Sequence, residues 1–129
     1  MKKVELAIKT FLEERGWDNL RPSDLAKSIS IEAAELLEHF QWSSQELQEV
    51  KKDKIRLESI EKELADVLIY ALQASVLLGI DTEKIIMDKL EHASKKYPAK
   101  LMKERRHNKE PGTEDTYLKI KQEYRKKGL

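Results

Sequence analysis

The amino-acid sequence predicts an all-α domain of the four-helix-bundle kind, followed by a basic C-terminal extension that can form a fifth helix. Two observations carry this. Apolar residues recur every three or four positions through most of residues 1–100, and strand-like alternation competes nowhere. Four glycines and three prolines in 129 residues are too few for an all-β domain with many tight turns.

Val4, Ala7, Ile8, Phe11 and Leu12 keep helical spacing and Gly16 stops the segment, so a first helix is expected over residues 2–15. Residues 17–21 form a connector. Pro22 suits a first helical turn and Ser23 or Asp24 can cap it, which starts a second helix running to Phe40. Its apolar side is Leu25, Ile29, Ala33, Leu36, Leu37 and Phe40. Ser43 and Ser44 break the pattern and can cap a short helix over residues 45–50. The longest helix is expected from residue 53 or 54 to residue 78, with Ile60, Leu64, Val67, Leu68, Ala71 and Leu72 inward. Gly79 stops it, and Asp81 or Thr82 caps a helix over residues 82–96 with Ile85, Ile86, Leu90 and Ala93 inward. Tyr97-Pro98 ends that helix, because the residue before proline disfavours the α region.

Residues 1–100 therefore read as one domain and 101–129 as a basic tail. Residues 103–112 are polar and expected to be irregular. Residues 113–127 can form the fifth helix, with Thr113 as cap, Glu114 and Asp115 at its positive end and Arg125 to Lys127 at its negative end. Two readings of the tail stand side by side: a mobile or weakly docked segment, or a helix packing on a neighbouring subunit.

With 40% hydrophobic and 38% charged residues the core is thin, and a partner subunit would add to its burial. No cysteine is present, which excludes a disulfide framework, a thiolate nucleophile and a Cys-based zinc site. His39, His92 and His107 show no HExxH or paired helical spacing, which argues against zinc. The net charge of +1 hides an asymmetry. Residues 100–129 carry ten Lys/Arg against five Asp/Glu, or +5, which leaves fifteen against nineteen, or −4, elsewhere. An acidic body with a basic tail is unlike a dedicated DNA-binding domain, so no nucleic-acid partner is expected, although the tail leaves that role open. No stretch approaches the roughly 18 apolar residues of a membrane span. The first residues, with early acids in a helical pattern, do not resemble a signal peptide. A cytoplasmic location is expected.

Glu32 and Glu35 are three residues apart on the second helix, and Glu63 and Asp66 three apart on the longest one. Each pair shares a helix face, and two such pairs on facing antiparallel helices would gather four carboxylates around one small volume. Such a set suits magnesium, which prefers oxygen ligands and adds substrate phosphates. Spacing alone is weak, since about four such pairs are expected by chance at this acid content. Context adds weight: Asp66 sits within Leu64-Ala65-Asp66-Val67-Leu68-Ile69-Tyr70, and a carboxylate beside a buried face is costly unless paired or metal-bound. The other reading, which the pattern alone leaves open, is that these acids lie at a boundary and pair with nearby lysines.

Trp17, Trp42 and Tyr70 lie near these acids in sequence or on the same helices, and large aromatics beside a carboxylate site can stack on a nucleobase. The alternative is that such aromatics are core or cover; Phe40 reads as core. Lys89, Lys95 and Lys96 can supply positive charge for phosphate, or simply form a solvated face. Neither GxxxxGK[ST] nor GxGxxG occurs, so phosphate handling would fall to metal and cationic side chains.

The strings EAAELLEHFQW (32–42), EKELADVLIYAL (61–72) and DKLEHASKKYP (88–98) resemble the MazG-like all-α nucleoside triphosphate pyrophosphohydrolases, most of all the small dCTP-pyrophosphatase-like branch. The resemblance spans residues 11–100. The family signature ExxE, spacer, ExxD falls on Glu32, Glu35, Glu63 and Asp66, with FQW, DVLIY and KKYP flanking it in order. It implies a Mg²⁺ enzyme, with Mn²⁺ as an alternative, that hydrolyses a (d)NTP to the monophosphate and pyrophosphate in nucleotide-pool house-cleaning. It implies a homodimer or homotetramer, metal binding by the four acids, and base binding by Trp17, Trp42 and Tyr70. Glu38 matches an acid of the extended motif, so Glu35 or Glu38 would take the proton of the attacking water. Lys89 and Lys96 would neutralise leaving-group charge. Two departures stand out. Ala93 replaces an asparagine frequent in the family, and the histidine of dCTP-preferring relatives falls near Ile8, so the resemblance leaves cytosine preference open. The competing readings are a degenerate member that binds nucleotides without cleaving them, and a non-enzymatic helical interaction module.

Overall fold

A computed structural model of the chain describes residues 1–107 and 116–129, with side chains described through residue 104 and again from residue 116. Among these residues there are seven helices and no strand. They are α1 (Lys2–Glu14), α2 (Pro22–Glu38), α3 (Leu47–Lys52), α4 (Lys54–Leu77), α5 (Thr82–Lys96), α6 (Ala99–His107) and α7 (Thr116–Lys126). The contacts divide into two compact units, Met1–Thr82 and Glu83–Leu129. No single helix among the described residues is long and apolar enough to cross a membrane.

In the first unit α4 is the shared partner. It lies along α2 and also meets α1 and α3. Asp24 to Ser28 of α2 share a pocket with Asp66 to Gln73 of α4. At the other end, Arg56 of α4 donates to the His39 carbonyl just past α2. The two helices therefore run antiparallel. Arg56 also donates to Ser43 Oγ at 3.0 Å and to Gln45, and its guanidinium lies 5.3 Å from the Phe40 ring centroid. One side chain thus ties the turn after α2 to the start of α4.

Helix ends follow backbone chemistry. Gly16 has φ +66°, a conformation that costs a Cβ-bearing residue, and it closes α1 with the N–H of Gly16 donating to the Glu13 carbonyl and that of Trp17 to the Leu12 carbonyl. This Schellman geometry folds Trp17 back over α1, where it meets Phe11 edge-to-face at 5.9 Å. Gly79 closes α4 in the same way. Beyond it, Ser75 Oγ and Thr82 Oγ1 lie 2.6 Å apart, both buried.

Several expectations need correction. Arg21, not Ser23 or Asp24, is the α2 N-cap, and it makes no side-chain cap bond; proline's fixed φ starts that helix. α3 begins two residues later than expected, because Glu46 and Glu49 form a reciprocal capping box that displaces Ser43 and Ser44 from that role. Residues 103–107, expected to be irregular, belong to α6. Ala, Leu, Met, Lys, Glu and Arg are strong helix formers and sustain that helix without an apolar stripe. The remainder of that stretch, and the Thr113 cap with Glu114 and Asp115, lie outside the described residues.

The core of the first unit is small. Ile8, Leu12 and Leu25 are the buried apolar residues among those described. Ile60, Val67 and Leu72 are half-buried, and so are Ile29, Leu36 and Phe40. Leu64 and Leu68, expected inward, are 44% and 52% exposed, and Leu37 is 61% exposed. In α5, Ile85, Ile86 and Leu90 are likewise exposed.

The second unit holds the C-terminal segment. α7 lies against α5 and its end: Tyr117 stacks on Tyr97 at 5.0 Å, and Tyr124 meets His92 edge-to-face at 5.9 Å. Lys96 Nζ lies 5.3 Å from the Tyr97 ring centroid and 4.9 Å from that of Tyr124. Burial, followed by the neighbouring Tyr117, raises the Tyr97 pKa above its ordinary value. A helix is thus present over Thr116–Lys126 of the tail, and two of its tyrosines meet rings of α5 and Tyr97 in the same chain.

Candidate metal centre and its adjoining pocket

Three carboxylates converge where α2 and α4 face one another. One oxygen from each of Glu32, Glu63 and Asp66 lies within 4.8 Å of the others. The antiparallel packing explains this: Glu32 sits midway along α2, and the three-residue step from Glu63 to Asp66 brings both α4 acids to the same seam. Glu32 and Glu63 are half-buried and Asp66 is exposed. Glu32 is held protonated to a higher pH than an ordinary glutamate. Partial burial is the chief cause, followed by the charge of Glu35, a hydrogen bond to it, and the charges of Asp66 and Glu63. A cation would relieve the repulsion that this crowding creates, and an all-oxygen donor set fits a hard divalent ion.

A pocket of about 460 Å³ opens beside this cluster. Phe11, Trp17 and Tyr70 give it aromatic walls, and Asp66 belongs to both the cluster and the pocket lining. Asp24, Ser28 and Gln73 supply polar groups. Asp66, Tyr70 and Gln73 are spaced four and three residues apart, so one stripe of α4 carries all three. Trp17 joins them through the Gly16 turn described above.

The sequence profile of the MazG-like family matches residues 27–110. This chain belongs to the MazG-like family. It is 30% identical over 94 residues to dCTP pyrophosphatase 1 of Rattus norvegicus and, over the same length, to that of Mus musculus. Each match covers 70% of this chain and 55% of the relative, so the chain spans about half the length of these curated relatives. Among solved structures, a pyrophosphatase from Archaeoglobus fulgidus superposes with a TM-score of 0.66 at 38% identity, covering 76% of this chain and 92% of that one.

Within this MazG-like chain the remaining sequence candidates are placed as follows. Glu35 is exposed and adjoins Glu32, but it is not among the three closest carboxylates. Glu38 ends α2, is exposed, and is likewise outside that group. Trp42 is 89% exposed and does not line the pocket. Lys89 and Lys96 belong to the second unit, where Lys89 is exposed and Lys96 faces two tyrosine rings.

Two residues of the seam were not singled out from sequence. His39 Nε2 lies 3.9 Å from Glu63 Oε1, with both side chains 26% exposed. Its signal was the seven-residue step from Glu32, two helical turns along one face. Gln73 is 5% exposed and lines the pocket. Its signal was the same seven-residue step, from Asp66.

Proposed function

We propose that this chain is a divalent-metal-dependent nucleoside triphosphate pyrophosphohydrolase, converting a (d)NTP to the (d)NMP and pyrophosphate. The observation that carries this reading is the double membership of Asp66, which puts a carboxylate cluster fit for Mg²⁺ or Mn²⁺ at the edge of an aromatic pocket fit for a base. The names of the rodent relatives and of the archaeal structure support it.

In this reading Glu32, Glu63 and Asp66 hold the ion, and Glu35 joins them by a side-chain rotation. The ion supplies charge neutralisation on the phosphates and a lowered pKa for water, so no protein nucleophile is needed. Trp17 and Tyr70 hold the base by stacking, worth about 1–3 kcal/mol per base. Glu35 or Glu38 accepts the proton of the water that attacks the α-phosphorus, and pyrophosphate leaves. Lys89 and Lys96 balance the charge of the leaving group.

The chain acts as a homodimer or homotetramer in this proposal. Support comes from Ile31, Leu37, Leu64 and Leu68, all more than 40% exposed in a single copy. A role for exposed Trp42 at the base calls for such a second copy. Incubating the full chain with a panel of NTPs and dNTPs, with Mg²⁺, Mn²⁺ or EDTA, tests the activity. Metal-dependent pyrophosphate release supports it. Binding without release identifies a degenerate member, and neither binding nor release identifies an interaction module.

A further inference from the structure

α2 and α4 meet twice at the end of the seam that carries the carboxylates. The backbone of His39 keeps helical angles, φ −66° and ψ −18°, so its side chain continues the stripe of α2 that holds Glu32 two turns earlier. On α4, Glu63 stands two turns beyond Arg56 on one stripe. Because the helices run antiparallel, these residues close a circuit. Arg56 Nη2 donates to the His39 carbonyl, and His39 Nε2 lies 3.9 Å from Glu63 Oε1. The same guanidinium donates to Ser43 Oγ at 3.0 Å, so the turn that presents His39 is gripped from the helix that presents Glu63.

His39 has no rival for this place. Among the described residues no lysine or arginine forms an ion pair or side-chain hydrogen bond with Glu32, Glu63 or Asp66. The crowded carboxylates repel one another, and nothing but the imidazole stands ready to hold one of them in place. A carboxylate has two oxygens, so Glu63 can give one to a cation and the other to a donor behind it. A neutral imidazole with its proton on Nε2 donates such a bond, and no change of protonation is involved. The 3.9 Å separation is longer than a hydrogen bond. Bonds of this kind are often long before a ligand binds and tighten with it. Both side chains are 26% exposed, so the contact is partly shielded from water.

We propose that His39 is a positioning residue of the metal centre: its Nε2–H holds the Glu63 carboxylate in the orientation that ligates the cation, and Arg56 holds His39 there through its carbonyl. His39 itself stays off the ion, which leaves the donor set all oxygen. This inference rests on the metal-centre reading above.

The experiment is calorimetric titration of the full chain with Mn²⁺ alone, in the absence of nucleotide, which reads cation affinity without turnover. The wild-type chain is compared with His39→Met and His39→Gln. These two side chains are unbranched, alike in length and compatible with a helix end, and only glutamine carries a donor N–H. His39→Met is expected to weaken Mn²⁺ binding by about tenfold or more, and His39→Gln to restore it to within about threefold of wild type. An affinity of His39→Met within about twofold of wild type overturns the role of His39 and leaves the metal centre standing. Equal losses in both variants assign the ring to packing and overturn the proposal. No Mn²⁺ binding by the wild-type chain overturns the metal-centre reading and this inference with it. Both variants are expected to melt cooperatively in EDTA. If His39→Met does not, His39→Gln decides alone, and a loss of about tenfold or more there overturns the proposal.

Discussion

Asp66 belongs both to the carboxylate cluster and to the pocket lining. Its amide isostere keeps the shape and removes the charge that a hard cation requires. Asp66→Asn is therefore expected to lower the rate of pyrophosphate release at least a hundredfold, with the helical circular dichroism signal unchanged. Full activity in that variant would remove the metal-site argument. Glu32 makes a second prediction through its proton. Its pKa is raised above 4.5 in the folded chain, chiefly by partial burial and then by Glu35. The folded state therefore binds this proton more tightly than the unfolded state, and its contribution to stability is present at low pH. That contribution is lost as pH rises from the unfolded value through the raised folded one. In EDTA, the melting temperature of Glu32→Gln is expected to fall less steeply with pH across that window than that of the wild type. Identical slopes would show that Glu32 titrates as it does when unfolded.

The elements show which signals a sequence carries locally. Gly16 was readable as a stop, and the position it takes at φ +66° also decides where Trp17 goes. A Cβ at Gly16 would meet nothing within 4 Å, so the cost of Gly16→Ala is conformational, about 1–2 kcal/mol. The variant is expected to melt several degrees lower and, because Trp17 is re-aimed, to raise KM for nucleotide more than it lowers kcat. A melting change with KM unmoved would detach Trp17 from the base. Helical spacing is arithmetic, so it put Glu32, Glu35, Glu63 and Asp66 forward together as candidates. The closer grouping of three of them depends on rotamers, which spacing does not encode. The α3 start was not legible, since Ser43, Ser44 and Glu46 are all acceptable caps and only the reciprocal bond with Glu49 selects among them. α6 was hidden for the opposite reason: it has helix propensity throughout and no apolar face to announce it.

At the scale of the whole molecule, periodicity tells that a helix face is apolar but not which chain covers it. Leu64 and Leu68 read as core positions, yet one copy leaves them about half exposed, together with Ile31 and Leu37 on α2. A chain with three buried apolar residues among those described in its first unit leaves much of its hydrophobic surface to solvent. Covering these side chains with a second copy contributes about 25 cal/mol for each Å² of apolar surface removed from water. Charge at such a position opposes assembly directly, because a lysine at the centre of an apolar contact must give up its hydration without a partner. Leu37 is the sharpest place to try it, being 61% exposed and absent from both the carboxylate cluster and the pocket lining. Light scattering of the wild-type chain is expected to give a multiple of 15.1 kDa, and Leu37→Lys to shift it toward 15.1 kDa with helicity retained. A wild-type monomer would mean that these side chains face solvent in the working protein, and an unshifted Leu37→Lys oligomer would move the interface off this part of α2.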